Sequence, residues 1–267
     1  MRQLEDLHLH AADRSGAWRA ADVAVLPCPR RIRAVVGGET VADSIRVLYL
    51  FERDHLPVYY FPVEDVRTDL FEPSSRRTIC RRKGQAAYWT LRTGDRELED
   101  VMWGYDEPLD VLPEIAGHRA LYWSRMDHWY EEDDEVFVHA RDPFNRVDVL
   151  SSSRHVRIDV DGVCVAESRR PWLLFETGLP TRYYLPQADV RMDLLRPSDK
   201  VTACPYKGRA SYYSVDVGHR IVPDLAWTYT FPIPEQPKIA GLIAFFDEKV
   251  DVWVDGERQG RPESAWS

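Results

Sequence analysis

Cysteine is scarce and long apolar runs are missing. The four cysteines, Cys28, Cys80, Cys164 and Cys204, form no Cys-x-x-Cys pair and are too sparse for a disulfide scaffold, so reduced thiols are the expectation. No stretch approaches the ~20 apolar residues of a membrane-spanning helix, and the longest candidate, Ile239 to Phe246, is strand-sized. Met1 to His10 carries charge in place of the apolar segment of a signal peptide, so a cytoplasmic location is expected. Positive charge is in the minority: 35 Lys and Arg stand against 44 Asp and Glu, for a net charge of −9. Such a surface repels phosphate backbones and acidic lipid, which argues against nucleic-acid and membrane partners. No long amphipathic helix is visible either. At 267 residues, with 44% hydrophobic and 12% aromatic, the chain has material for one large core or two smaller ones.

What is present is a repeat at an offset of 124 residues. Asp65-Val66-Arg67-Thr68-Asp69-Leu70 returns as Asp189-Val190-Arg191-Met192-Asp193-Leu194. Thr78, Cys80, Lys83 and Gly84 return as Thr202, Cys204, Lys207 and Gly208. Trp103 and Tyr105 return as Trp227 and Tyr229, Ala116-Gly117 as Ala240-Gly241, and Asp127 and Trp129 as Asp251 and Trp253. The register slips by one at Leu56-Pro57 and Leu179-Pro180, where a loop changes length. So long a period marks duplicated domains and not a solenoid. The copies are placed at residues 30–139 and 154–256, with an arm at 1–29, a linker at 140–153 and a tail at 257–267. The linker holds Asp142-Pro143, Asn145 and Ser151-Ser152-Ser153, poor element formers, and the arm has no apparent counterpart.

The copies read as mainly β. Arg31 to Val36 and Val156 to Val160 run into Gly37-Gly38 and Asp161-Gly162, dipeptides that favour a tight hairpin. Val47 to Phe51, Val58 to Phe61, Ala86 to Leu91 and Arg119 to Trp123 are strand-length and rich in β-branched and aromatic residues.

The second copy contains Leu179-Pro180, Pro186-x-x-Asp189-Val190-Arg191-Met192-Asp193-Leu194-Leu195-x-Pro197-Ser198, Thr202-x-Cys204-Pro205-Tyr206-Lys207-Gly208-x-Ala210-x-Tyr212 and Ile239-Ala240-Gly241. This combination resembles the bacterial domain-of-unknown-function 427 family, and with the first copy the resemblance covers all but the arm and linker. It implies two tandem β-tent-like domains, each of two antiparallel sheets with few short helices, remotely similar to the thalidomide-binding domain of cereblon and to Yippee proteins. Those relatives hold zinc with two Cys-x-x-Cys pairs. Each copy here has one shared cysteine, so no metal and no cofactor are expected. A nucleotidyltransferase-like label attached to the family requires closely spaced carboxylates around Mg²⁺, and no acidic pair follows Gly37-Gly38. The first copy departs from the pattern at Arg81-Arg82, where the second has Pro205-Tyr206, so the halves need not share a specificity.

Several constellations invite chemistry. Strand periodicity would place Asp65, Arg67 and Asp69, and equally Asp189, Arg191 and Asp193, on one face. That face is either a pocket wall, with Asp69 and Asp193 as proton acceptors and Arg67 and Arg191 gripping an anion, or an ion-pair network that fixes the sheet. Thr202, Cys204 and Tyr206 alternate before Lys207-Gly208, so Cys204 is a candidate thiolate beside an ammonium or a small buried thiol. Glycine beside Lys83 and Lys207 would let backbone amides approach a ligand, or the lysines are solvated in turns. Trp103, Tyr105, Trp227 and Tyr229, with Tyr88, Tyr212, Trp129 and Trp253, line either an aromatic cage or a plain core. Arg76, Arg77, Arg81, Arg82 and Lys83 form a basic segment, Glu131 to Glu135 reads as a solvated hairpin tip, and His8 and His10 are two imidazoles without further ligands.

These readings converge on a small polar or anionic metabolite as partner, bound or transformed in an aromatic-lined pocket of each repeat. Arg191, Lys207, Trp227, Tyr229, Tyr212 and Cys204 are the candidates in the second copy; Arg67, Lys83, Trp103, Tyr105 and Tyr88 are those in the first. The alternatives are a protein-interaction or scaffold module without catalysis, and cysteine-dependent chemistry.

Overall fold

The structure is a computed structural model that describes residues 22–53, 55–110 and 112–264. The chain separates between Asp142 and Pro143 into two units. Among the described residues the helices are all single 3-10 turns, and none is long and apolar enough to cross a membrane.

The first unit contains β1 (Val23–Pro27), β2 (Ile32–Val36), β3 (Glu39–Ser44), β4 (Leu48–Glu52), β5 (Val58–Pro62), β6 (Phe71–Cys80), β7 (Gly84–Thr93), β8 (Arg96–Gly104), β9 (His118–Leu121), β10 (His128–Glu131) and β11 (Asp134–Glu135). They build a seven-stranded sheet in the order β1-β4-β5-β9-β8-β7-β6 and a four-stranded sheet in the order β11-β10-β2-β3. Pairing between the strands is antiparallel throughout.

The second unit repeats this with β12 (Val147–Ser151), β13 (Val156–Val160), β14 (Val163–Ser168), β15 (Trp172–Glu176), β16 (Arg182–Tyr184), β17 (Leu195–Cys204), β18 (Gly208–Asp216), β19 (Ile221–Thr228), β20 (Ile243–Phe245), β21 (Asp251–Val254) and β22 (Glu257–Arg258). Here the large sheet is divided into β12-β15-β16 and β17-β18-β19-β20, beside the four-stranded β14-β13-β21-β22. The expectation of two sheets per domain therefore meets three in this unit. The cause is local: β16 has only three residues, and the seam to β20 is held by Leu185 and Ile243, whose amides donate to each other's carbonyls at 2.8 and 2.9 Å. The order of strands across that seam matches the first unit.

Strand chemistry explains the core. In β2 the residues Ile32, Ala34 and Val36 are buried and alternate with more accessible neighbours, and Val156, Ile158 and Val160 do the same in β13. Each of these strands turns back through a hairpin with two left-handed residues, Gly37 and Gly38 at φ 60° and 82°, and Asp161 and Gly162 at φ 49° and 80°.

Three sequence expectations are corrected. β1, in the presumed arm, pairs with β4, and β12, in the presumed linker, pairs with β15 at the same offset, so both domains begin earlier than expected. Residues 257–258 of the presumed tail pair with β21. The segments Asp65 to Leu70 and Asp189 to Leu194 are not strands but single 3-10 turns, Val63–Asp65, Thr68–Leu70, Gln187–Asp189 and Met192–Leu194. The rest of the arm, with His8 and His10, lies outside the described residues.

Candidate functional site

At the turn after β6 the chain reverses through residues 81–83, and the side chain of Lys83 folds inward until only 9% of it is exposed. Its ammonium donates to Glu52 at the end of β4. Lys207, after β17, makes the identical bond to Glu176 at the end of β15. Burying a lysine without a counter-ion would be costly, and the glutamate removes that cost. Burial pushes the Glu52 carboxyl up, but the hydrogen bonds from Lys83 and Arg82 and the lysine's charge outweigh it, and the group sits below the usual carboxylate range. The copies then diverge. Arg82 adds a second donor to Glu52 at 3.1 Å, whereas Glu176 accepts from Asn145 at 3.3 Å, because Tyr206 stands where the first copy has Arg82.

Above this pair each unit assembles five rings. Trp103 donates its indole N–H to the Tyr60 hydroxyl at 3.2 Å and packs on Tyr122 with ring centroids 4.4 Å apart. Trp227 donates to Tyr184 at 3.1 Å and packs on Phe246 at 4.7 Å. Tyr88 and Tyr212 bond through their hydroxyls to Thr78 and Thr202, both at 2.8 Å. Tyr105 and Tyr229 complete the sets. Burial, then the neighbouring Tyr60, Cys80, Tyr88 and Glu52, pushes the Tyr105 phenol well above its ordinary range, and the matching residues do so for Tyr229. Both phenols therefore stay neutral donors. Unlike the hydroxyls of Tyr60, Tyr88, Tyr184 and Tyr212, these two have no hydrogen-bond partner among the described residues.

A second cation caps each ring set. The guanidinium of Arg76 lies over Tyr88, 4.6 Å from the ring centroid, and pairs with Asp100 at 3.4 Å. Lys200, at the equivalent position, lies over Tyr212 at 4.7 Å and pairs with Asp224 at 3.7 Å. Asp100 and Asp224 hold the left-handed conformation, φ 54° and 51°, and β6 and β17 each carry a register shift just before or beside the cation. The irregular strands thus aim a long cationic side chain across the ring face.

The structure groups Lys83, Tyr88, Trp103 and Tyr105, and likewise Lys207, Tyr212, Trp227 and Tyr229. Cys80 and Cys204 belong to the same neighbourhoods, each close to the tyrosines of its unit. Arg67 and Asp69 are not in this grouping. They are exposed, 52% and 61%, and form a two-bond fork with each other at 2.8 and 2.9 Å, as Arg191 and Asp193 do at 2.6 and 2.9 Å. The fork, with the arginine charge, holds both aspartates below the ordinary carboxylate range, which makes them weak proton acceptors. Gly84 and Gly208, both at φ +104°, serve the protein's own backbone: a Cβ on Gly208 would sit 3.1 Å from Ile233 N, and one on Gly84 3.2 Å from the Glu107 carbonyl. Tyr206 sits in the reversing turn and does not continue the alternation of Thr202 and Cys204. Trp129 faces another cluster, stacked on Trp123 at 4.6 Å and near Tyr59 at 6.0 Å. Neighbouring residues of β5 point to opposite faces, so Tyr60 meets Trp103 while Tyr59 meets Trp129. Within the acidic run Glu131 is buried, accepting from Tyr59 at 2.6 Å and from Arg30.

Sequence reasoning missed Glu52, Glu176, Tyr60, Tyr184, Tyr122, Asp100 and Asp224. All but Tyr122, whose partner is Phe246, recur unchanged at the 124-residue offset, so the repeat itself carried the signal. Among the described residues no group of three or more His, Cys, Asp or Glu side chains is placed to hold a metal ion.

Duplicated antiparallel sheets, each enclosing the same lysine, glutamate and rings, define a tandem-domain β-protein. Residues 24–132 and 148–256 match the model of a family described as Domain of unknown function (DUF427). The chain belongs to this family and carries its domain twice. No curated protein matches it.

Proposed function

We propose that each repeat binds a small polar or anionic metabolite against its ring cluster. The lysine ammonium and the unpartnered phenol of Tyr105 or Tyr229 are the donors, and Trp103 with Tyr88, or Trp227 with Tyr212, the flat walls. The observation that carries this reading is that both units bury a lysine beside the same rings and leave the same phenol without a partner. A core needs no lysine, and a phenol oxygen that meets no protein partner yet is not sealed from solvent is open to a ligand, so keeping both twice favours one that uses them. The ion pair leaves two ammonium protons on each lysine to donate, so an anionic or carbonyl oxygen suits the site.

The test is a panel of small carboxylates, phosphates and neutral amides screened by thermal unfolding of the full chain, then calorimetry on any hit. Loss of binding in Lys207→Ala and Trp227→Ala supports the site, with the first repeat silenced by Lys83→Ala. A hit that binds these variants as tightly as the original protein overturns it.

A further inference from the structure

The second unit contains a buried charged triad that the fold does not require. Arg182, on β16, is 7% exposed and donates two bonds to Glu248, at 2.8 and 2.5 Å. Ser264 donates to the same glutamate at 2.5 Å. Asp247, 5% exposed, stands 3.5 Å from Arg182 through Oδ2, while its Oδ1 is buried with no hydrogen-bond partner among the described residues. In the first unit the equivalent positions are Val58, Trp123 and Ser124, and there Trp123 simply stacks on Trp129. The same architecture therefore closes without a charge at any of these three positions.

Asp247 also lines a hollow of about 140 Å³ whose other walls include Pro180, Tyr183, Val250, Val252 and Pro262. That space exceeds the roughly 30 Å³ share of one water several-fold. Two carboxylates face one guanidinium, and the guanidinium fork is committed to Glu248. Among the described residues that line the hollow, none is a cationic donor.

We propose that this hollow binds a small primary ammonium ion carrying a short aliphatic chain, its N–H donated to Asp247 Oδ1 and its chain laid against Val250, Val252 and Pro180. The ammonium supplies the missing positive charge and satisfies the orphaned oxygen, which are the two things a buried carboxylate needs. Burial, partly offset by Arg182, pushes Asp247 up to about 7, so its charged form is disfavoured unless a cation stands beside it. A cation would draw it to the ionised form.

The experiment titrates the full chain by calorimetry with n-butylammonium, n-butanol and n-butyrate, three probes of one shape and different charge. Saturable binding of n-butylammonium alone is the expected result, weakened about tenfold or more in Asp247→Asn, which keeps the side-chain shape and loses the charge. Asp69→Asn, far outside this constellation in sequence and paired with Arg67, should leave the affinity unchanged. Absence of saturable butylammonium binding, equal binding of all three probes, or undiminished affinity in Asp247→Asn would each overturn the proposal. Should Asp247→Asn not fold, the charge series on the unmodified chain decides alone.

Discussion

The indole N–H of Trp227 donates to the Tyr184 hydroxyl at 3.1 Å across the large sheet of the second unit, and Trp103 makes the same bond to Tyr60 at 3.2 Å in the first. Trp227 is 7% exposed and Tyr184 1%. Tyr184→Phe keeps the ring and strands the indole donor, so stability should fall by about 1–3 kcal/mol. A double-mutant cycle with Trp227→Phe should return a coupling on the order of 1 kcal/mol by urea unfolding. Additive losses would show that the bond is incidental.

The lysine–glutamate pairs separate structure from function. Glu176→Leu strands the Lys207 ammonium in a site where only 12% of that side chain is exposed. The cost should be about 3–5 kcal/mol, whereas the double variant Glu176→Leu with Lys207→Met, which removes both charges, should recover most of it. The recovered protein should still fail to bind any ligand found for the second repeat. Retained binding would detach the ion pair from the site.

Two glycines with similar backbone angles should respond differently to alanine. At Gly208, φ +104°, an added Cβ would meet Ile233 N and Pro232 Cα at 3.1 and 3.3 Å, while at Gly218, φ +90°, it would meet open space. Gly218→Ala pays only the conformational cost of about 1–3 kcal/mol. Gly208→Ala must also displace the Pro232 segment, which donates Ile233 N–H to the Lys207 carbonyl at 3.1 Å. A larger fall in unfolding free energy is expected at Gly208, and equal losses would argue against close packing there.

Stability should carry an acid signature from the triad. Asp247 is raised by burial from 3.8 to about 7, so between those values the folded chain holds a proton that the unfolded chain has released. Unfolding free energy should therefore fall as pH rises through that window, by up to about 1.4 kcal/mol per pH unit. Glu248 has the opposite sign. Burial raises it, but the Arg182 and Ser264 hydrogen bonds prevail and bring it from 4.5 down to about 2, so its contribution is lost as pH falls through that lower window. Asp247→Asn should flatten the decline towards neutral pH and leave the acid limb in place, measured by urea unfolding across the pH series.

Much of the architecture was legible in the chain. Gly37-Gly38 and Asp161-Gly162 announced hairpins because two consecutive left-handed residues suit that turn, and the alternation from Val156 to Val160 matched the observed strand. The segment Asp65 to Leu70 misled for a physical reason: alternating polar and apolar residues also fit two successive 3-10 turns, closed here by the backbone bonds from Val66 N–H to the Val63 carbonyl and from Leu70 N–H to the Arg67 carbonyl. β1 and β12 went unread although Val23, Val25 and Leu26 recur as Val147, Val149 and Leu150 at the same offset, because so short a match beside poor element formers is a weak signal.

Sequence alone determined that a β-rich unit was copied at a 124-residue spacing and which side chains both copies retained. Periodicity along one strand is a local property, and identity at a fixed offset needs no coordinates. Only the tertiary structure decided which of those side chains meet. Glu52 and Lys83 stand 31 positions apart and Tyr60 and Trp103 43, and each pair is joined by the lateral order of strands in a sheet, set by long-range pairing that no local pattern encodes. That ordering does not involve Arg67 and Asp69, which meet at the surface through a local contact two positions apart. Strand order also gathered Arg182, Asp247 and Glu248 in the second unit, where the matching positions of the first hold only apolar residues and a serine.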